Sequence, residues 1–174
     1  MKALSTSAIA SFGFAILLTG CKPQARPIDG GIETILIAGQ EFSLDLAMTP
    51  ESRRRGLAGR TSLAPDEGML FVFQDVETRS FWMYGCIMDI DIAFIDPIGY
   101  VTALHTMPAE PPRGDQETEL AYEQRLAKYT SGYPAQFAIE LAPGRFEELG
   151  VSVGDRLSIP PERLKTLSES AEAE

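Results

Sequence analysis

"FWMYGCIMDIDIAFID", residues 81–96, holds the only tryptophan, Trp82, one of two cysteines, Cys86, and a D-x-D pair at Asp89 and Asp91. Side chains two apart on a strand share a face, so a regular strand from Cys86 puts Cys86, Met88, Ile90, Ile92 and Phe94 on one apolar face. Ile87, Asp89, Asp91, Ala93 and Ile95 then lie on the other, and Cys86 points away from both carboxylates. The next residues, Asp96 to Gly99, read as a hairpin loop in which Pro97 presets the turn and Gly99 can take positive φ. A three-residue loop pairs Asp96 with Tyr100, and that register carries Asp91 opposite His105, the only histidine. A bulge would reverse the facing. "SFWMY", residues 80–84, is apolar on both parities and reads as a strand of its own, with Phe81 and Met83 facing one way and Trp82 and Tyr84 the other.

Working outward, "ETILIAGQEFSLDLAM" reads as two strands around an Ala38-Gly39 turn, with Phe42, Leu44, Leu46 and Met48 alternating against polar partners. A short helix follows, with Thr49 as N-cap, Pro50 at its first position and Gly56 or Gly59 at its end. "MLFVF", "YVTALHTM", "AQFAIEL" and "DRLSI" read as further strands, and "PGRFEELG" as a helical turn. Residues 108–133 turn to Pro, Glu, Gln and Arg, an exposed excursion with one helical piece, "ETELAYEQRLAKY". Short strands with brief helices give a mainly β fold (α+β), a small single-domain β-barrel or sandwich-like fold. No G-x-G-x-x-G or Walker sequence is present.

The first twenty residues have a charged n-region at Lys2, an apolar stretch too short to span a bilayer and a small-residue site, the layout of an export signal. "LTGC", Leu18 to Cys21, resembles the lipobox of bacterial lipoproteins, which implies acylation of Cys21. That leaves residues 1–20 as signal, 21–31 as a Pro- and Gly-rich tether, 32–160 as the domain and 161–174 as an acidic, disordered tail. Lys22 after the cysteine resembles outer-membrane lipoproteins, so the expected location is the periplasmic face of the outer membrane of a Gram-negative bacterium. The net charge is −10, which repels phosphate backbones and argues against nucleic-acid binding. The "RRR" at 53–55 reads as a solvated helix face. With Cys21 lipidated, Cys86 has no partner in the chain and reads as a small buried hydrophobe.

"RGLAGR" (55–60), "DEGMLFVF" (66–73), "FWMYGC" (81–86), "IDIAFID" (90–96), "YPAQFAIELAPG" (133–144) and "GVSVGDRL" (150–157) together resemble the prokaryotic proteins of domain of unknown function 192. The resemblance implies a compact β-rich domain, often exported, with no established activity to carry over. The chain departs from the family pattern after the Trp-Met pair, where Tyr84, Gly85 and Cys86 replace the usual Lys-Asn-Thr. Asp89 stands where proline is common, and Ala58-Gly59 replace a usual Met-Phe.

The candidate binding residues are Arg60, Trp82, Met83, Asp91 and His105. Arg60 and Asp91 match positions that the resembled family shares and could form a polar centre, a buried carboxylate needing a partner such as Arg60 or His105. Trp82 and Met83 match the family's Trp-Met pair, and aromatic residues beside a core strand suit a groove for a small molecule or a partner's segment. These readings converge on a non-enzymatic ligand- or partner-binding module of the cell envelope, with no cofactor and no metal. The alternative is an enzyme, either metal-dependent through Asp91 and His105 or thiol-dependent through Cys86.

Overall fold

A computed structural model of the chain describes residues 30–173; the expected export signal, Cys21 and most of the expected tether lie outside the described residues. The chain runs β1 (Ile32–Ile37), β2 (Gln40–Ala47), α1 (Pro50–Arg55), β3 (Glu67–Phe81), β4 (Ile90–Ile95), β5 (Val101–Met107), α2 (Glu119–Arg125), β6 (Tyr129–Leu141), α3 (Arg145–Glu148) and α4 (Pro161–Ser170). The strands form one open sheet in the order β1-β2-β3-β6-β4-β5. Only β2 and β3 run parallel. The fold is thus mainly β with short helices, and of the two expected architectures it is the sandwich-like one, because the sheet does not close into a barrel.

Local chemistry accounts for the first elements. Ala38 and Gly39 both have positive φ, 49° and 80°, the conformation a two-residue hairpin turn requires between β1 and β2. Thr49 accepts from the Ser52 amide and Ser52 answers to the Thr49 amide, a reciprocal cap that starts α1 behind Pro50. Gly68 sits where an added Cβ would lie 2.3 Å from the Glu140 carbonyl, so β2, β3 and β6 meet there only because the position is glycine.

The sheet is buried on both faces, and residue parity divides it. Leu70, Val72, Ala93, Ile95, Phe137, Ile139 and Leu141 face a layer formed with β1, β2, Phe146 and α4. Met69, Phe71, Phe73, Ile90, Ile92, Phe94 and Ala138 face the other, completed by Leu57, Met83 and Cys86. The apolar face assigned to Cys86, Ile90, Ile92 and Phe94 is therefore one wall of this second layer, with Met88 packed at its margin.

Four features differ from the sequence reading. The hairpin loop closes as expected, with the Asp96 amide donating to the Tyr100 carbonyl at 2.9 Å, but the ladder shifts between Phe94 and Ile95. From there Ile92 faces His105 and Asp91 faces Thr106. The shift at Thr102 is a bulge, which inverts the facing of every residue beyond it. "SFWMY" is no separate strand, since β3 continues to Phe81 and the chain from Trp82 to Asp89 is irregular. "DRLSI" contributes one isolated bridge, Tyr100 with Arg156, and buries Leu157 and Ile159 as packing residues.

The fourth concerns the acidic tail and the arginine run. Residues 161–170 form α4, with Leu164 and Leu167 inside the first layer; the tail pattern places these leucines three apart on one helical face. Arg53, read as solvated, is buried, and its guanidinium donates to the carbonyls of Met48, Val72 and Glu172 at 2.9–3.0 Å. It thereby fastens the C-terminal end to α1 and β3. We expect Leu164→Ala to cost about 2–5 kcal/mol in urea unfolding; a loss within about 0.5 kcal/mol, the size of a surface change, would mean that α4 is not part of the core.

Candidate functional site

The five residues singled out in the sequence do not gather. Arg60 forms its ion pair with Asp45, both partners largely buried. Asp91 is held elsewhere: its Oδ1 accepts from the Thr106 hydroxyl at 2.8 Å and its Oδ2 from the Phe146 amide at 3.3 Å. Both oxygens are satisfied, and the residue joins β4 to β5 and to the start of α3. His105 lies on the opposite side of the sheet, its Nε2 donating to the Thr130 carbonyl at 2.8 Å, its ring against Phe94 and Tyr129. The expected Arg60–Asp91 and Asp91–His105 pairings are absent because the bulge at Thr102 reversed one partner and Asp45 took the other. Among the described residues no cluster of histidine, cysteine and carboxylate residues suits a metal ion.

Met83 and Trp82 part company. Met83 is fully buried, while Trp82 lines a cleft of about 390 Å³ between α1, β3 and the 82–86 turn, a volume within the range of small-molecule sites. Phe71, Phe73, Phe81 and Tyr84 share its lining, with Arg54 and Arg55 at α1. Phe81 organises the aromatic wall: it meets Phe71 at 4.9 Å, Phe94 at 5.4 Å and Phe73 at 6.4 Å between centroids, each edge to face.

The excursion at 108–128 packs against the residues of the 82–86 turn and against α1. Its α2, capped by Thr118, sets Tyr122 5.3 Å from the Tyr84 ring, and the Tyr122 hydroxyl accepts from the Gly85 amide at 3.0 Å. Tyr84 donates to Glu119, and Arg54 pairs with Glu123 at 3.2 Å. Lys128 places its ammonium 3.3 Å from the centre of the Trp82 ring. Gly85 itself has φ of 66°, a conformation that glycine adopts freely and asparagine tolerates.

Two groups in this cleft carry unusual electrostatics. Cys86 is a buried free thiol; burial first, then the nearby Glu140 carboxyl, pushes it up to about 12. It stays a neutral thiol, with its Sγ 3.7 Å from the Tyr84 carbonyl. Glu140, on β6 between Met69 and Ile92, is 5% exposed and its Oε2 has no hydrogen-bond partner. Burial alone pushes its carboxyl up to about 8. The sequence reading passed over it, although a single glutamate inside the run of "AQFAIEL" is a polar residue in a strand buried on both faces.

The model of DUF192, described as Uncharacterized ACR, matches residues 33–159. A candidate transcription regulator from Sinorhizobium meliloti 1021, known as a crystal structure, is 32% identical over 73% of this chain and 90% of its own, with a TM-score of 0.57. A protein of unknown function from Novosphingobium aromaticivorans DSM 12444 is 23% identical over 80% of this chain and 94% of its own, TM-score 0.60, which is a likeness of fold. No curated protein matches.

The raised carboxyl makes stability depend on pH with a definite sign. Folding holds the Glu140 proton more tightly than the unfolded chain does, so its share of stability is full below the ordinary carboxylate range and is lost as pH rises to about 8. Against Glu140→Gln, the native chain should lose on the order of 4 kcal/mol between pH 4 and pH 8 in denaturant titrations. Parallel pH profiles for the two proteins would show that the carboxyl is hydrated and ordinary.

Proposed function

The chain belongs to the DUF192 family, and from that premise we propose that this member is an exported lipoprotein, held at the periplasmic face of the outer membrane through Cys21, whose domain binds a small molecule in the cleft floored by Glu140. One observation carries the binding half: a buried carboxyl oxygen with no partner, at the bottom of an aromatic cleft. A buried polar atom left unpaired costs about 1–3 kcal/mol, and a ligand that supplies the missing partner recovers that cost on binding.

Binding is favoured over catalysis by the chemistry of the same residues. A thiolate is the nucleophilic form of cysteine, and Cys86 is held neutral. Asp91 and His105, the alternative acid and base or metal pair, engage separate partners on separate faces. The transcription regulation attached to the S. meliloti protein is not extended to this chain, whose net charge is −10 and whose arginine run is partly spent inside the fold, at Arg53. The anchor rests on the sequence of Leu18 to Cys21 and the expected acylation, with two or more acyl chains giving stable attachment.

Trp82 is the only tryptophan, so the emission of the whole protein reports on the cleft. Fractionated periplasmic extract and soluble cell-wall fragments should contain a component that shifts or quenches that emission; no change across all fractions would remove the cleft as a binding site. For the anchor, cell fractionation should find the native chain with the outer membrane and the Cys21→Ala chain displaced from it. Equal partitioning of the two would overturn the lipoprotein assignment.

A further inference from the structure

The floor of the cleft narrows the class of ligand that would fit it. This step rests on the binding reading above and adds a chemical identity to it. Glu140 Oε2 has no hydrogen-bond partner, and once the carboxyl is ionised it accepts only, so the group complementary to the carboxylate is one that donates. The walls around it are ring faces and edges of Phe71, Phe73, Phe81, Trp82 and Tyr84, whose π-systems attract positive charge. The protein already uses these rings in that way. The guanidinium groups of Arg53 and Arg79 lie 5.1 and 3.9 Å from the centre of the Phe73 ring, and the Lys128 ammonium caps Trp82.

We propose that the cleft binds a small organic amine in its protonated form, with the ammonium donating to Glu140 and the apolar body packed between the aromatic walls. An ammonium–carboxylate pair is the charge-assisted form of hydrogen bond, about twice as strong as a neutral one. The pair is neutral as a whole, so the ligand brings the counter-charge that makes an ionised Glu140 tolerable in an apolar site. Glu140 gives up one proton to solvent as the ammonium arrives.

The surrounding charges are compatible with entry of a cation. From α1, Arg54 is paired with Glu123 at 3.2 Å and Arg55 lies 3.9 Å from Glu51. Arg53 is committed to three backbone carbonyls. From the turn, Tyr84 bonds Glu119 and Cys86 is neutral. From β3 and β4 the residues beside Glu140, Met69 and Ile92, are apolar. The chain as a whole is acidic, net −10, and draws cations toward it.

The test uses three probes of one shape, benzylamine, benzyl alcohol and benzoate, titrated into the full-length protein and followed by Trp82 emission and calorimetry. Benzylamine should bind at least about tenfold more tightly than the other two. Its affinity should rise as pH goes from 6 to 8, approaching about tenfold per unit, with about one proton released, counted from the heats in two buffers. Glu140→Gln should lose the preference for the amine and the proton release. Equal or tighter binding of benzyl alcohol or benzoate, or an amine affinity that falls with rising pH, would overturn the amine assignment while leaving the cleft a binding site. Failure of all three probes to bind at millimolar concentration would sink the amine assignment together with the cleft reading. The proton count on the native protein decides the matter even if the Gln variant does not fold.

Discussion

The ladder between β3 and β6 is the constraint from which the rest of the molecule packs. Gly68 to Val72 run antiparallel to Phe137 to Leu141, and every residue from Gly68 to Phe73 and from Ala135 to Leu141 is buried. A strand pair covered on both sides has no solvent face on which to place a polar side chain, so each residue commits to one of two layers. The layer containing Phe42, Leu164 and Phe146 is filled by the β1–β2 hairpin and α4. The other is filled by irregular chain, Leu57, Met83 and Cys86, and is the one that opens into the cleft.

That opening explains how the fold tolerates Glu140. Within a filled layer, an unpaired carboxyl would be a fault of packing; beside a cleft, the same group is the one the proposed amine would meet. Proteins break local rules of polar satisfaction mostly where function requires it. The Glu140 carbonyl lies where a Cβ at position 68 would fall, so β3 and β6 approach this closely beside Glu140 only with glycine there.

The cleft also depends on parts of the chain far from it in sequence. Arg53 lines it while holding the carbonyl of Glu172, so the end of the chain steadies one wall. Residues 108–128 bury Tyr122 and Leu126 but place no residue in either layer, yet through Glu119, Tyr122, Glu123 and Lys128 they position Tyr84, Gly85, Arg54 and Trp82. The two regions that read as peripheral, an excursion and a tail, are the ones that shape the site.

Strand positions were legible in the sequence because a period of two is a local property: the β1–β2 hairpin, the core of β3, β4 and β6, and the faces of Ile90, Ile92 and Phe94 follow from alternation alone, whereas Cys86 reaches the same layer from irregular chain. Thr49, Pro50 and Gly56 likewise announce α1, since a cap is satisfied within a few residues. The family was legible from six short motifs. The partners of charged groups were not, because a carboxylate chooses among donors brought near only by folding. Asp91 took Thr106 and the Phe146 amide, and Arg60 took Asp45. One bulge at Thr102, invisible in composition, moved His105 to the other face. α4 has its own apolar stripe, but only the first layer decides that Leu164 and Leu167 are needed there. Sequence determined which residues are strand and which face they share; tertiary structure alone decided which buried polar atoms would find a partner and that Glu140 would not.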